Sequence, residues 1–346
     1  MANNFQSTEK YIGIAQTQQQ YDQTKQFCET FYQDNLDWFK QRQKLEKIRE
    51  CHGDLHLNNL CDWQEKIQLF DRIEFNQSFR FVDVMYDIAF TVMDLDAKGR
   101  RDWSYLFLNT YLENTGDWQG LKILPFYLCR QAYVRAKVTS FLLDDQNLSS
   151  EEKQKALASA QHYYKLAWEY SQQLSGRMIL MSGLSGSGKS TLARQLSLQL
   201  PAVWIRSDAV RKQLSGIDLN QTGDQKLYTP TMTAKVYQTL FDLGKLANQA
   251  GFNVILDAKF DRIQWRSPVI ALTQAQGLKL SIIHCKASLD VLKHRLQNRQ
   301  GDISDATADL LTNQQETWQD FTESEQSFVI EVDTQNDNWQ ASLSNL

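Results

Sequence analysis

A glycine-rich string that ends in lysine and serine is the strongest chemical signal in this chain. It reads Gly183-Leu184-Ser185-Gly186-Ser187-Gly188-Lys189-Ser190, followed by Thr191. Glycines permit backbone angles that other residues avoid, so successive N–H groups can turn toward phosphate oxygens. Lys189 would reach the β- and γ-phosphates, and the Ser190 hydroxyl would bind Mg²⁺. The string predicts a P-loop that binds ATP and Mg²⁺. A glycine-rich turn that binds nothing is disfavoured, because every motif position is filled.

Charged residues that follow two apolar runs could carry out phosphoryl transfer beside that loop. Asp208 and Arg211 come soon after Ala202–Ile205, and Asp257 directly follows Asn253–Leu256. In an open parallel sheet, the carboxyl ends of the strands form the ligand crevice. We therefore expect Asp208 to accept a hydroxyl proton, Arg211 to hold the acceptor or its phosphate, and Asp257 to support Mg²⁺. The alternatives are a helix N-cap at Asp208 and a charge that merely ends a strand at Asp257.

Two arginines further along the chain could stabilise charge on a phosphoryl group in transfer. Arg295 and Arg299 are four residues apart, which would place them on one face of a helix. Such a pair suits a lid that closes over the phosphates. A solvated helix face is the alternative.

Taken together, these motifs resemble the P-loop kinases related to zeta toxins and polynucleotide 5′-kinases. The resemblance covers roughly residues 177–335. It implies Asp208 as the base, Arg211 as a substrate contact, and Arg295 and Arg299 as lid arginines. Acceptors in that family range over small hydroxyl compounds, nucleotide sugars and nucleic-acid ends, so the resemblance implies the reaction type rather than the substrate.

A second string in the N-terminal half, His52-Gly53-Asp54-Leu55-His56-x-x-Asn59, has the spacing of a kinase catalytic loop. In such a loop the aspartate accepts the hydroxyl proton and the asparagine binds Mg²⁺. Asp71, after the apolar run Ile67–Phe70, stands where a second Mg²⁺ ligand is expected, and Asp87 would anchor the loop. These residues resemble the aminoglycoside phosphotransferase family, which has a protein-kinase-like fold.

The order of the two strings resembles bacterial proteins described as bifunctional aminoglycoside phosphotransferase/ATP-binding proteins, over about residues 50–335. A kinase-like fold also needs a glycine-rich loop and a lysine in an N-terminal lobe. Neither element occurs in the 51 residues before His52. We therefore expect a truncated kinase-like domain whose Asp54 site does not bind ATP well by itself.

Zinc is a rival interpretation of the same stretch. Cys51, His52, His56 and Cys61 are four candidate ligands, and the two histidines are four residues apart. Gly53 and the polar residues that follow argue against a stable helix there, and the spacing is not that of a usual zinc module.

The elements that must position these residues follow from the hydrophobic pattern. Beyond Ser175-Gly176, short apolar runs alternate with amphipathic ones, which predicts βαβ units and a parallel sheet. The predicted strands are 178–181, 202–205, 253–256, 279–284 and 327–332. The predicted helices begin near Lys189, Ala209, Pro230, Arg262, Leu289 and Ala306.

The fold class we predict is α/β: a C-terminal P-loop NTPase domain with a five-stranded parallel sheet and flanking helices. A mostly helical domain resembling the C-lobe of a kinase-like phosphotransferase precedes it. The predicted divisions are a helical segment over 1–50 with a disordered start, the C-lobe-like domain over 51–174 and the P-loop kinase domain over 177–346. A helix is predicted over 21–48, and the polar segment 216–228 is predicted to be a mobile loop.

Bulk properties restrict the partners. The chain has 346 residues, 42% of them hydrophobic, and a net charge of −4, so nothing global attracts it to nucleic acid. No segment has the length and apolarity of a membrane span, and no signal peptide is visible. Five scattered cysteines indicate reduced thiols, so we expect a cytoplasmic protein.

An ATP-dependent kinase acting on a hydroxyl acceptor through the C-terminal domain is therefore the leading hypothesis. One alternative is a regulatory P-loop ATPase, a switch in which hydrolysis changes a partner interaction. Another is a nonenzymatic scaffold that binds ATP.

Overall fold

The computed structural model describes residues 2–172, 175–299 and 302–336, together with Trp339 and Leu343. The chain divides into two compact units. The first takes its residues from Met1–Ser104 and Gly120–Gln173, and the second from Tyr105–Gln119 and Leu174–Leu346.

The first unit is mostly helical. Its helices are α1 (Ala2–Thr8), α2 (Gln18–Asp34), α3 (Leu36–Lys44), α4 (Gln77–Arg80), α5 (Val84–Ala97), the first turn of α6 (Arg101–Thr115), α7 (Leu124–Phe141) and α8 (Ser150–Ser171). Four short strands accompany them, β1 (Ile48–Glu50), β2 (Leu60–Trp63), β3 (Lys66–Leu69) and β4 (Phe81–Asp83). β1 pairs with β4 and β2 with β3, both antiparallel.

The start of the chain differs from the expectation of disorder. α1 packs its Phe5 ring against Tyr133 at a centroid distance of 4.4 Å, and Phe5 is only 3% exposed. The Thr8 hydroxyl lies 2.6 Å from the Tyr133 hydroxyl, which satisfies both buried groups. A few well-placed apolar side chains thus order a segment that is polar on average.

The helix predicted over 21–48 is interrupted. α2 ends at Asp34. The next residue, Asn35, has φ −115° and ψ 16°, which are not the backbone angles of an α-helix. Its backbone N–H and its side-chain amide both donate to the Phe31 carbonyl oxygen, at 3.1 and 2.9 Å, which closes the end of the helix. α3 then begins at Leu36, and the chain continues into β1.

The second unit contains the predicted five-stranded parallel sheet, and this part of the prediction is confirmed. Its strands are β5 (Met178–Ser182), β6 (Ala202–Arg206), β7 (Asn253–Asp257), β8 (Leu280–Lys286) and β9 (Val329–Asp333), in the order β6-β7-β5-β8-β9. The helices after the start of the sheet are α9 (Lys189–Gln199), α10 (Ser207–Ser215), α11 (Pro230–Gln249), α12 (Ile263–Gln276), α13 (Leu289–Gln297), α14 (Leu310–Glu316) and α15 (Glu323–Gln326). The helix expected near Ala306 begins at Leu310.

The register of the sheet explains why charged residues meet at one edge. All five residues of the central strand β5 are buried, as expected for a strand covered on both faces. Asp257 at the end of β7 is the pairing partner of both Met181 and Arg206. The carboxyl ends of β5, β6 and β7 therefore lie side by side, and the P-loop leaves β5 at this point.

An asparagine on α6 completes the edge of the sheet. The Asn109 side chain donates to the Ala202 carbonyl oxygen at 3.0 Å and accepts from the Trp204 N–H at 3.0 Å. Asn109 is 6% exposed. A side-chain amide thus supplies both hydrogen bonds that a neighbouring strand would have given to β6.

We expect Asn109→Ala to destabilise the second unit, because it leaves a carbonyl and an N–H of β6 without partners. An unsatisfied buried polar group costs about 1–3 kcal/mol. Thermal or urea unfolding of the full chain measures the loss. Asn114→Ala, on an exposed position of the same helix, is the matched control, and equal destabilisation by both changes would contradict the prediction.

Candidate functional site

The glycines of the P-loop adopt conformations that other residues avoid. Gly183, Gly186 and Gly188 have φ values of 139°, 80° and 83°. A Cβ atom on Gly183 would lie 2.4 Å from the Cys285 carbonyl oxygen, so backbone packing as well as conformation requires glycine there. The result is a tight turn from β5 into the amino end of α9, where N–H groups and the helix dipole favour an anion.

The Lys189 ammonium lies inside this turn. Its Nζ donates to the Leu184 carbonyl oxygen at 2.7 Å, with the Ser187 hydroxyl 3.5 Å away. Burial lowers the pKa of Lys189, and the nearby Asp257 carboxylate opposes that effect. A lysine held by a single carbonyl can exchange that contact for the stronger charge-assisted hydrogen bonds of phosphate oxygens.

Ser190 and Asp257 form the part of the site that fits a magnesium ion. Asp257 is 4% exposed, and the Trp204 Nε1–H donates to its carboxylate at 3.2 Å. Burial raises the pKa of Asp257, whereas Arg206 and a hydrogen bond from the Ser190 hydroxyl act in the opposite direction. A hydroxyl and a carboxylate side by side are the hard oxygen ligands that Mg²⁺ takes directly or through water.

Asp208 and Arg211 lie one turn apart on α10, so they share a helix face. α10 begins at Ser207, and Asp208 lies within its first turn rather than at the N-cap position, which Arg206 occupies. Both residues line the same cavity as the P-loop, with a volume of 1360 Å³. The cavity thus brings together a carboxylate, a guanidinium and the phosphate-binding turn.

The two predicted lid arginines differ in their surroundings. α13 ends at Gln297, so Arg299 lies beyond the helix and the pair does not share a helix face as expected. The Arg295 guanidinium donates to the Thr334 carbonyl oxygen at 2.6 Å and to the Gly186 carbonyl oxygen at 3.4 Å. It therefore ties the P-loop to the end of β9. Within the described part of the chain, the buried Nη1 of Arg299 has no hydrogen-bond partner. Both arginines line the cavity.

Two acidic residues that the sequence analysis did not single out pair with Arg206, which lines the cavity. The Arg206 guanidinium lies 2.5 Å from the Asp302 carboxylate and 3.5 Å from that of Glu113 on α6. Asp302 belongs to an irregular segment and Glu113 to a distant helix. No spacing in the sequence relates them to Arg206.

The segment 216–228, predicted as a mobile loop, is held at several points. The Asp305 carboxylate accepts from the Gly223 N–H at 3.0 Å and from the Tyr228 hydroxyl at 2.9 Å. The Lys212 ammonium donates to the Leu219 carbonyl oxygen at 2.8 Å, and Gln225–Tyr228 forms a short 3₁₀ helix. Asp305 also lines the cavity and thus connects its rim to this loop.

The second string, in the first unit, forms an ordered loop. Asp87 on α5 accepts from the His52 N–H at 2.6 Å and from the Gly53 N–H at 3.0 Å, as the anchoring role requires. The Asn59 side chain donates to the Asp54 carbonyl oxygen at 3.0 Å. A hydrogen bond from His56, whose Nε2 is 3.4 Å from the carboxylate, lowers the pKa of Asp54.

The candidate metal ligands of this unit are Asn59 and Asp71 for magnesium, and two cysteines and two histidines for zinc. Asp71 is exposed, with a left-handed φ of 59°. Among the residues that the structure describes, no three His, Cys, Asp or Glu side chains are arranged to hold a metal ion. The zinc alternative needs Cys51, His52, His56 and Cys61 together, and the described residues do not show that grouping. All five cysteines are free thiols. No described helix is long and apolar enough to cross a membrane.

Residues 178–321, which contain the P-loop and most of the cavity, match the family model of the AAA domain. An uncharacterized protein of Mycobacterium tuberculosis and another of Mycobacterium bovis are each 32% identical to this chain over 267 residues. The matched region is 76% of this chain and 52% of each relative. The chain thus spans about half the length of the curated relatives it matches.

Three solved structures are similar to part of this chain. A sugar kinase of Janibacter sp. has a TM-score of 0.36 at 19% identity, covering 49% of this chain and 91% of that one. A gluconokinase of Sinorhizobium meliloti has a TM-score of 0.34 at 22% identity, covering 48% and 86%. The Mycobacterium tuberculosis APS kinase in complex with AMPPNP and APS has a TM-score of 0.30 at 20% identity, covering 36% and 70%. Because these TM-scores are low, the fold of the second unit is described from its own strands and helices.

Proposed function

We propose that the second unit is an ATP-dependent kinase that transfers the γ-phosphate to a hydroxyl group of an acceptor. The observation that carries this proposal is the single cavity lined by the P-loop residues, by Asp208 and by Arg211. A nucleotide site alone would serve any ATPase. A carboxylate facing the same cavity gives a hydroxyl acceptor the base that it needs.

A residue of this cavity can be assigned to each step of phosphoryl transfer. Lys189 and the P-loop N–H groups would hold the β- and γ-phosphates, and Ser190 and Asp257 would hold Mg²⁺, which neutralises phosphate charge when it is bound. Asp208 would accept the hydroxyl proton as the acceptor oxygen bonds to the γ-phosphorus. The bond between that phosphorus and the bridging oxygen breaks, and ADP leaves. Arg299 would stabilise the charge on the phosphoryl group in transfer.

For the first unit, we propose a domain of the aminoglycoside phosphotransferase kind. The support is the loop from His52 to Asn59, which Asp87 holds at two N–H groups. We assign turnover to the second unit, because its P-loop, Asp208 and Arg211 line one cavity. The five free thiols are compatible with a cytoplasmic enzyme.

The test follows the γ-phosphate of labelled ATP, with the full chain incubated with cell metabolites and with nucleic-acid ends. A kinase transfers label to an acceptor in the presence of Mg²⁺. Label found only in inorganic phosphate would instead support the regulatory ATPase, and bound ATP without turnover would support a scaffold.

A further inference from the structure

A glutamine of α14 holds one residue of the P-loop by two hydrogen bonds. The Gln314 Oε1 atom accepts from the Ser185 N–H at 3.0 Å, and the Gln314 Nε2 atom donates to the Ser185 hydroxyl oxygen at 3.0 Å. Gln314 is 7% exposed, and both residues line the cavity. Removing a buried partner of this kind leaves polar groups unsatisfied, which is unfavourable inside a protein.

The packing of α14 brings Gln314 to the P-loop. Leu311, one turn earlier on the helix, is 1% exposed and packs with Leu292 and Leu296. Leu184 of the P-loop packs against the same apolar cluster. Residues three apart lie on one face of a helix, so Gln314 reaches the residue that follows Leu184. The core of this unit therefore fixes the contact between α14 and the P-loop.

The peptide group between Leu184 and Ser185 links this contact to Lys189. Its carbonyl oxygen accepts from the Lys189 ammonium at 2.7 Å, and its N–H donates to Gln314. The carbonyl and the N–H of a planar trans peptide point in opposite directions. Gln314 on one side thus helps to fix the carbonyl that faces Lys189 on the other. Ser185 begins beside the ammonium that would hold the γ-phosphate.

The chemistry of the amide decides where the Ser185 hydroxyl proton points. The Ser185 N–H can donate only to the amide oxygen, so the amide nitrogen must face the hydroxyl oxygen. That nitrogen is a donor only, and the hydroxyl oxygen is therefore the acceptor. Among the described residues, no acceptor takes the proton of the hydroxyl itself. The proton is free to be donated to a ligand in the cavity.

We propose that Gln314 is a positioning residue for the γ-phosphate of ATP and acts through the Ser185 hydroxyl. With its oxygen engaged by Gln314, the hydroxyl donates its proton to a γ-phosphate oxygen. ADP has no γ-phosphate and cannot make this contact, so the pair gives the site a preference for ATP over ADP. The inference rests on the ATP-dependent function proposed for the same cavity.

The first experiment measures, by calorimetry with Mg²⁺, the binding of ADP and of AMPPNP, an ATP analogue, to the full chain. Gln314→Met keeps the length of the side chain and removes both hydrogen bonds. We expect it to weaken AMPPNP binding by about 10- to 100-fold and ADP binding by less than about twofold, since only AMPPNP loses a hydrogen bond to a charged group. Gln315→Met, at an exposed position of the same helix, should change neither Kd. Equal weakening of both nucleotides by Gln314→Met, or of neither, overturns the proposal.

The second experiment removes the hydroxyl and leaves Gln314 in place. Ser185→Ala keeps the N–H that donates to Gln314, so its folding does not depend on the substitution at α14. It should weaken AMPPNP binding as much as Gln314→Met does and leave ADP binding unchanged, and Ser185→Thr should restore most of the loss. The double variant should bind AMPPNP about as well as either single variant, because both substitutions remove the same contact. Additive losses, or wild-type AMPPNP binding by Ser185→Ala, would show that Gln314 does not act through the hydroxyl.

These binding measurements need no acceptor, so they separate this inference from the proposed kinase function. A wild-type chain that binds neither nucleotide overturns both. Selective loss of AMPPNP binding in the variants, together with a wild type that phosphorylates no acceptor, supports the role of Gln314 and overturns the kinase function.

Discussion

Lys189→Ala is expected to lower ATP turnover by at least about 100-fold, because it removes the only side-chain cation inside the P-loop string. The loss should appear in ATP affinity as well as in rate, since the ammonium contacts phosphates in both the bound state and the transition state. Turnover is measured with labelled ATP and affinity by calorimetry.

The stability of this variant gives a second readout. Burial lowers the pKa of Lys189, which means that the folded protein without nucleotide carries an ammonium in an unfavourable environment. The alanine variant should therefore unfold at a temperature no lower than the wild type. Lys279→Ala, an exposed change just before β8 and away from the P-loop, should leave turnover intact. Wild-type turnover by Lys189→Ala would refute the nucleotide site.

Asp208→Asn is expected to reduce phosphoryl transfer to the acceptor by about 10²–10⁴-fold, the usual contribution of a general base. The amide keeps the shape of the carboxylate, so ATP binding should persist. Comparing labelled acceptor with bound ATP separates the two effects. A regulatory ATPase would tolerate this change while still failing with Lys189→Ala.

Asp290→Asn is the matched control for that change. Asp290 lies exposed in the first turn of α13, as Asp208 lies in the first turn of α10. Each substitution removes an acidic residue that favours a helix start by about 0.3–1 kcal/mol. If both variants lost acceptor phosphorylation equally, the role of Asp208 would be structural rather than chemical.

The P-loop and its sheet were predictable because the structure that the local sequence pattern favours there is also the structure that the packed domain needs. The run Met178–Met181 is apolar enough for a central strand, and the glycines that follow have the angles their type permits. Asp257 and Asp208 could be placed at one edge because parallel strands end together.

The rest of the cavity depends on contacts between segments that are far apart in the chain. The Asp305 carboxylate accepts hydrogen bonds from the Gly223 N–H and the Tyr228 hydroxyl. The residues next to Asp305 in the sequence form no motif that would indicate these contacts. Arg299 was placed on a helix by spacing alone, whereas α13 ends two residues earlier. The ordered start of the chain depends on Phe5, one apolar ring in a polar segment.

The side-chain amide of Asn109 also limits where the protein can be truncated without exposing the edge of its sheet. A fragment that begins near residue 177 would contain the whole sheet but not α6. The edge strand β6 would then lose Asn109, which lies 93 positions before Ala202 in the sequence. An unprotected strand edge is a template for pairing with another chain. Such a fragment should self-associate at concentrations where the intact protein stays dispersed, even though every nucleotide-binding residue is present.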